Sequence, residues 1–201
     1  MEILILLIVI FSIWLILYLQ NSKKKDAEKQ ALIKRRIEFT QEYFDNINKQ
    51  KVIPFIATHL LLKKDETAYL SDMAMLLEMG KYTISNRGGG AVRVARGIYI
   101  GGTSGKSRSY DELRQKDSGE LVLTNKRLIF DGQANTREIP LEKILSVANH
   151  FDAIEIACEG KVKSFIFSDI NNPILWKALI HYIRAIPESG ELPTMDLQIN
   201  D

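Results

Sequence analysis

The feature that most limits what this chain can fold into is the run ILILLIVIFSIWLILYL, Ile3 to Leu19, broken by one polar residue, Ser12. About 17 apolar residues is near the lower limit for a helix crossing the hydrocarbon core of a bilayer. Trp14 and Tyr18 lie toward its C-terminal end, where they suit an interfacial belt. A cleaved signal peptide would carry a basic segment before the run and small residues after it. Here Glu2 precedes it and Asn21-Ser22-Lys23-Lys24-Lys25 follows, so the expectation is an uncleaved anchor over residues 1–20. Basic residues tend to stay on the cytoplasmic side of a span. Lys23, Lys24, Lys25, Lys29, Lys34, Arg35 and Arg36 therefore predict a single-pass protein of the cell membrane, N-terminus outside and C-terminal bulk in the cytoplasm. The juxtamembrane cations Lys23, Lys24, Lys25, Lys34, Arg35 and Arg36 could also lie against anionic headgroups, at up to about 1 kcal/mol each near the surface.

Residues 21–64 read as a juxtamembrane helical segment. No Gly or Pro interrupts Lys23 to Asn48, and Leu32, Ile33, Ile37, Phe44 and Ile47 recur at helical spacing. That stripe is too short for a sustained coiled coil and is expected to pack on its own domain. Self-association through it, giving a membrane scaffold or homo-oligomer, is the alternative. Pro54 suits the first turn of a second short helix, Phe55 to Lys63.

Beyond Asp65 the pattern changes to strands. Candidates are Glu66 to Glu78 and Val92 to Ile100, the latter with a bulge at Gly97. The clearest is a hairpin, Glu120 to Thr124 and Arg127 to Phe130 around Asn125-Lys126. Short strands follow at Thr136 to Ile139, Ile144 to Asn149, Ala153 to Ala157 and Lys163 to Phe167. Asn171-Asn172-Pro173 then supplies an N-cap and a first-turn proline for a helix with Ile174, Leu175, Ala178, Leu179, Tyr182 and Ile183 on one face. It is expected to cover the open core of an antiparallel meander, ending before Pro187 and leaving residues 187–201 as a loose tail.

Ile100 to Ser107, IGGTSGKS, ends as a nucleotide-binding P-loop does. The leading glycine of that motif would stand at position 100, which is Ile100, and a β-branched residue does not readily take a positive φ. Tyr110 to Gln115 could open a helix, but the short consecutive strands that follow are not an alternating α/β fold. A nucleotide-binding enzyme using Lys106 is thus a remote alternative. The segment reads instead as a glycine-bearing connection whose Lys106 and Arg108, with Arg87, Arg93 and Arg96, are candidates for binding phosphate or carboxylate, including lipid headgroups.

Other chemistry is sparse. The three histidines, His59, His150 and His181, stand at no metal-ligand spacing, two expected on helix surfaces and one at a strand end. The single cysteine, Cys158, shares a face with Ile154 and Ile156 and reads as core. A net charge of +2 names no nucleic-acid partner. Nothing assembles an active site, a cofactor site or a metal site, which predicts a non-catalytic protein.

Gly119 to Phe130, GELVLTNKRLIF, followed by Ile139-Pro140-Leu141-Glu142-Lys143-Ile144, resembles the core signature of GRAM domains, members of the pleckstrin-homology-like superfamily. The strand ending Phe165-Ile166-Phe167 and the helix carrying Trp176 resemble its closing pair. The block from Glu66 through Arg93 to Gly97 and Lys106-Ser107 is similar to uncharacterised prokaryotic proteins with this domain. The resemblance covers about residues 66–186, within a domain set at 65–186. It implies an α+β, mainly β fold: a strongly bent antiparallel sheet of about seven strands, a partly open barrel, capped by the C-terminal helix. It also implies binding of lipid headgroups or a protein partner, without catalysis.

Overall fold

The computed structural model describes residues 2–88, 92–95, 98–100, 104–161, 163–187 and 190–194, and the side chains of residues 2–10, 12, 13 and 79–112 lie outside that description. Helix α1 runs unbroken over Glu2–Gln50. Nine strands follow among the described residues: β1 (Ala68–Gly88), β2 (Val92–Ala95), β3 (Ile98–Ile100), β4 (Ser104–Thr124), β5 (Arg127–Gly132), β6 (Thr136–Pro140), β7 (Ile144–Asn149), β8 (Ala153–Cys158) and β9 (Phe165–Ser168), then helix α2 (Pro173–Ala185). Seven strands form one antiparallel sheet in the order β6-β5-β4-β1-β9-β8-β7, and β2 and β3 form a small sheet of their own.

The large sheet curls on itself. Phe130 on β5 and Phe167 on β9 are three strand spacings apart in the sheet, about 14 Å if it were flat. Their ring centroids are 5.4 Å apart. Arg137 on the edge strand β6 bonds Glu78 of β1 at 3.0 Å and lies 5.7 Å from the Phe165 ring of β9, across the concave side. Phe130, Phe167, Leu76, Leu121, Leu123 and Ile154 fill that concavity, each almost fully buried.

α2 closes it. Asn172 caps the helix by accepting from the Leu175 amide, and Pro173 takes the first turn. Trp176 is fully buried, its indole N–H donating to Asp72 Oδ2 of β1 at 2.8 Å.

The stripe on α1 packs on the protein's own domain, as its length predicts. Residues 33, 36, 37, 40, 43, 44 and 47 are buried or half-buried, at spacings of three and four. Phe44 meets Tyr182 edge-on at 5.3 Å. Phe44, Ile47 and Ile53, all from the segment assigned to the juxtamembrane region, belong to the same core as the sheet. N-terminal of residue 33 the described side chains of α1 are exposed, including Phe11 at 61%, Trp14 at 58% and Tyr18 at 60%. Among the described residues no helix is long and apolar enough to cross a membrane. Much of the expected span, Ile3 to Leu19, falls on side chains outside the description.

Several sequence expectations are corrected. The short helix over Phe55 to Lys63 is not formed; the segment is an extended strap whose Ile56 amide donates to the Ala68 carbonyl. Ile56, Thr58, Leu60 and Leu62 are half-buried while Leu61 between them is 95% exposed, the alternation of an extended chain lying on the sheet rather than the three-and-four spacing of a helix. Val92 to Ile100 is two strands paired with each other, Val92 opposite Ile100, rather than one; the bulge expected at Gly97 lies outside the described residues. Tyr110 to Gln115 is strand within β4.

β1 and β4 are also far longer than the sequence pattern suggests, 21 residues each and paired throughout. Past Glu78 the described neighbour of β1 is β4 alone. The outer halves, residues 79–88 and 104–113, therefore form a two-stranded ribbon about 33 Å long.

Candidate functional site

The ribbon gathers basic residues that are distant in sequence. Its register sets Arg87 opposite Gly105, Lys106 opposite Asn86 and Arg108 opposite Ile84, so three of the five candidate anion-binding positions fall within about 10 Å of strand. Arg93 stands apart on β2, opposite Tyr99, and Arg96 lies outside the described residues. Lys81, opposite Asp111, is a further ribbon cation that spacing alone did not single out. Ser104 to Ser107 are strand, not a loop opening a helix, so Gly105-Lys106-Ser107 has here no helix N-terminus to hold a phosphate.

The basic row of α1 divides in two. Lys23, Lys24, Lys25, Lys34 and Arg35 are exposed, with Lys34 3.9 Å from Glu38 one turn on. Arg36 is half-buried and structural. Its Nη1 donates to the Phe151 carbonyl oxygen, and the guanidinium carbon lies 5.2 Å from the Phe151 ring, with Lys29 Nζ 5.8 Å from the same ring. Asn172 Nδ2 donates to the Arg36 carbonyl and to Thr40 Oγ1, each at 3.2 Å. These contacts fix α1 to the β7–β8 turn and to the start of α2.

Thr124, Asn125 and Arg127, at the hairpin turn, form a clamp. Arg127 grips Glu66 bidentately, Nε to Oε1 at 2.8 Å and Nη2 to Oε2 at 2.9 Å, and also pairs with Glu138. Thr124 Oγ1 donates to Glu66 Oε1 at 2.8 Å. Asn125 accepts from the Thr67 amide at 3.0 Å and donates to the Asp65 carbonyl at 3.0 Å. The hairpin turn and the entry to β1 are thereby locked together. Burial pushes the Glu66 carboxyl up, but Arg127, the Lys63 amide and Thr124 outweigh it and hold it below the ordinary value.

A cleft of about 360 Å³ opens where β6 faces the turn after β8, lined in part by Arg137, Glu138, Lys143, Cys158, Lys161 and Phe165. Much of its charge is committed: Arg137 to Glu78, Glu138 to Arg127 and Lys63. Cys158 is buried, as the alternation with Ile154 and Ile156 predicts, and burial pushes its thiol up, away from the reactive thiolate.

His150 stands at the end of β7 beside Glu155, and His181 is exposed on α2, as expected. His59 is on the strap rather than on a helix. Among the described residues no group of three His, Cys, Asp or Glu side chains could hold a metal ion. No protein-family model matches the chain, and no curated protein matches it.

Proposed function

We propose that the chain is a non-catalytic, single-pass membrane protein presenting a GRAM-like, pleckstrin-homology-like module in the cytoplasm, where it binds anionic lipid or a protein partner. Two meanders, β1-β4-β5-β6 and β7-β8-β9, joined by pairing β1 with β9 and closed by a terminal helix, match the architecture that the resemblance implies. The observation that carries the reading is the exposed apolar stretch of α1. Phe11, Trp14, Leu15, Ile16, Leu17, Tyr18 and Leu19 are all uncovered, and a helix apolar on every side needs lipid or a partner around it.

The same helix continues into the core. Residues 20–32, about 20 Å of helix, would separate bilayer from domain, and the ribbon of about 33 Å is longer than that gap. Its cations, Lys81, Arg87, Lys106 and Arg108, are the headgroup-binding candidates in this reading. Phosphate contact at such an arm is electrostatic and weakens with salt. A self-associating scaffold is less favoured, because the apolar stripe of α1 is already occupied by Tyr182 and its neighbours.

The test uses the full chain. It should resist alkaline extraction from membranes. In nanodiscs, amides of residues 79–88 and 104–113 should gain hydrogen-exchange protection when anionic lipid replaces zwitterionic lipid, and R87E/K106E/R108E should abolish the gain. Release at alkaline pH would remove the anchor. Equal protection in both lipids would remove the lipid version and leave the protein partner.

A further inference from the structure

The strap between α1 and β1 is held at both ends. Ile53 is in the core, and residues 63–67 are clamped by Glu66 and Asn125. Between these points His59 reaches over the sheet, Nδ1 3.2 Å from Glu120 Oε2 and Nε2 3.3 Å from Asp131 Oδ2. Glu120 and Asp131 are directly opposed in the β4–β5 register, an arrangement that destabilises a strand pair unless a cation lies between the carboxylates.

A neutral imidazole has one N–H and one lone pair, whereas the imidazolium donates from both nitrogens. Only the protonated ring can satisfy both acids, since deprotonation turns a lone pair toward one carboxylate. The ring is 65% exposed, so solvent protons reach it freely. Among the described residues the charged groups facing it are Glu120 from β4 and Asp131 from β5. β1 and β6 present the hydroxyls of Ser71, which donates to Glu120, and Thr136, which donates to Asp131 at 2.9 Å. Lys63 on the strap points instead to Glu138. Thr136 and His59 hold the Asp131 carboxyl below its ordinary range, which keeps it charged through the histidine range.

We propose that His59 is a proton-operated latch: protonated, it bridges Glu120 and Asp131 and tightens the strap on the sheet; neutral, it loosens residues 54–62, which the Ile56–Ala68 bond and the Arg127 contact with the Leu61 carbonyl then hold alone, and uncovers that acidic pair. The inference is independent of membrane binding. It gives the segment joining α1 to the sheet a conformational response to the proton on this imidazole.

Hydrogen exchange of the full chain at about pH 5.5 and 8, corrected for intrinsic amide chemistry, tests it. The Ile56 and Leu60 amides, bonded to the Ala68 carbonyl and Thr58 Oγ1, are the reporters. Their protection should fall about fivefold at the higher pH, a size that two exposed charge-assisted contacts support. The Trp176 amide, within α2, serves as the reference. H59Q should show the low protection at both pH values, and E120Q/D131N should lose the pH dependence while the reference stays unchanged. Wild-type protection that does not change with pH, or H59Q retaining the wild-type response, would overturn the latch.

Discussion

Replacing Arg127 by alanine should be among the most damaging single changes in the sheet. Arg127 is 6% exposed, and the Glu66 side chain it grips has no exposed surface. The substitution leaves that carboxylate buried with the Lys63 amide and the Thr124 hydroxyl as the donors that remain to it. Breaking a buried pair from one side costs about 3–5 kcal/mol, against a total stability of about 5–15 kcal/mol for a domain. The pH dependence follows from the sign of the shift. In the native protein the Glu66 carboxyl is held down, so the pair contributes stability above the unfolded carboxylate pKa and loses it as pH falls through the folded value. In Arg127→Ala the main lowering partner is gone and burial pushes the group up, so the deficit should be largest at neutral pH and shrink on acidification. Urea unfolding of the full chain in detergent, followed by the fluorescence of buried Trp176, reads both effects. A loss under about 1 kcal/mol at neutral pH, or a deficit that grows toward acid, would refute the reasoning.

Gly119→Ala should destabilise severely, because a Cβ there would fall on the Asp131 carbonyl oxygen and 2.6 Å from the Gly132 Cα, both backbone atoms of the paired strand. Thermal unfolding within a degree or two of wild type would contradict that placement. Asp72→Ala strips the Trp176 indole of its acceptor and Asn171 of a partner at 2.6 Å, and should cost about 1–3 kcal/mol in the same urea assay; no change would mean that the indole finds another acceptor.

The parts legible in the sequence were those written in neighbouring residues. The two-residue turn at Asn125-Lys126, the strand Ile144–Asn149, all but the last residue of the strand Ala153–Cys158, the Asn172 cap and the buried face of α2 follow from local alternation, helical spacing or cap chemistry. The core position of Cys158 follows likewise. The Thr124-Asn125-Lys126-Arg127 stretch could be read as a tight turn, but not as a clamp. Its partners are Asp65, Glu66 and Thr67, about sixty residues away in the chain.

What tertiary structure alone decided is non-local in the same sense. A strand's length depends on how far its neighbour continues, so the extension of β1 to Gly88 became visible only in its pairing with β4. Pro54 suits the first turn of a helix, yet the strap that follows bonds the sheet through its backbone and Leu61 stays in solvent. Periodicity showed that α1 has an apolar stripe, but it took the placement of Tyr182 to show what that stripe buries. Residue order fixes torsional preference and the alternation of faces, whereas the distance between Phe130 and Phe167, and with it the curl of the sheet, comes from packing elements that the chain itself holds far apart.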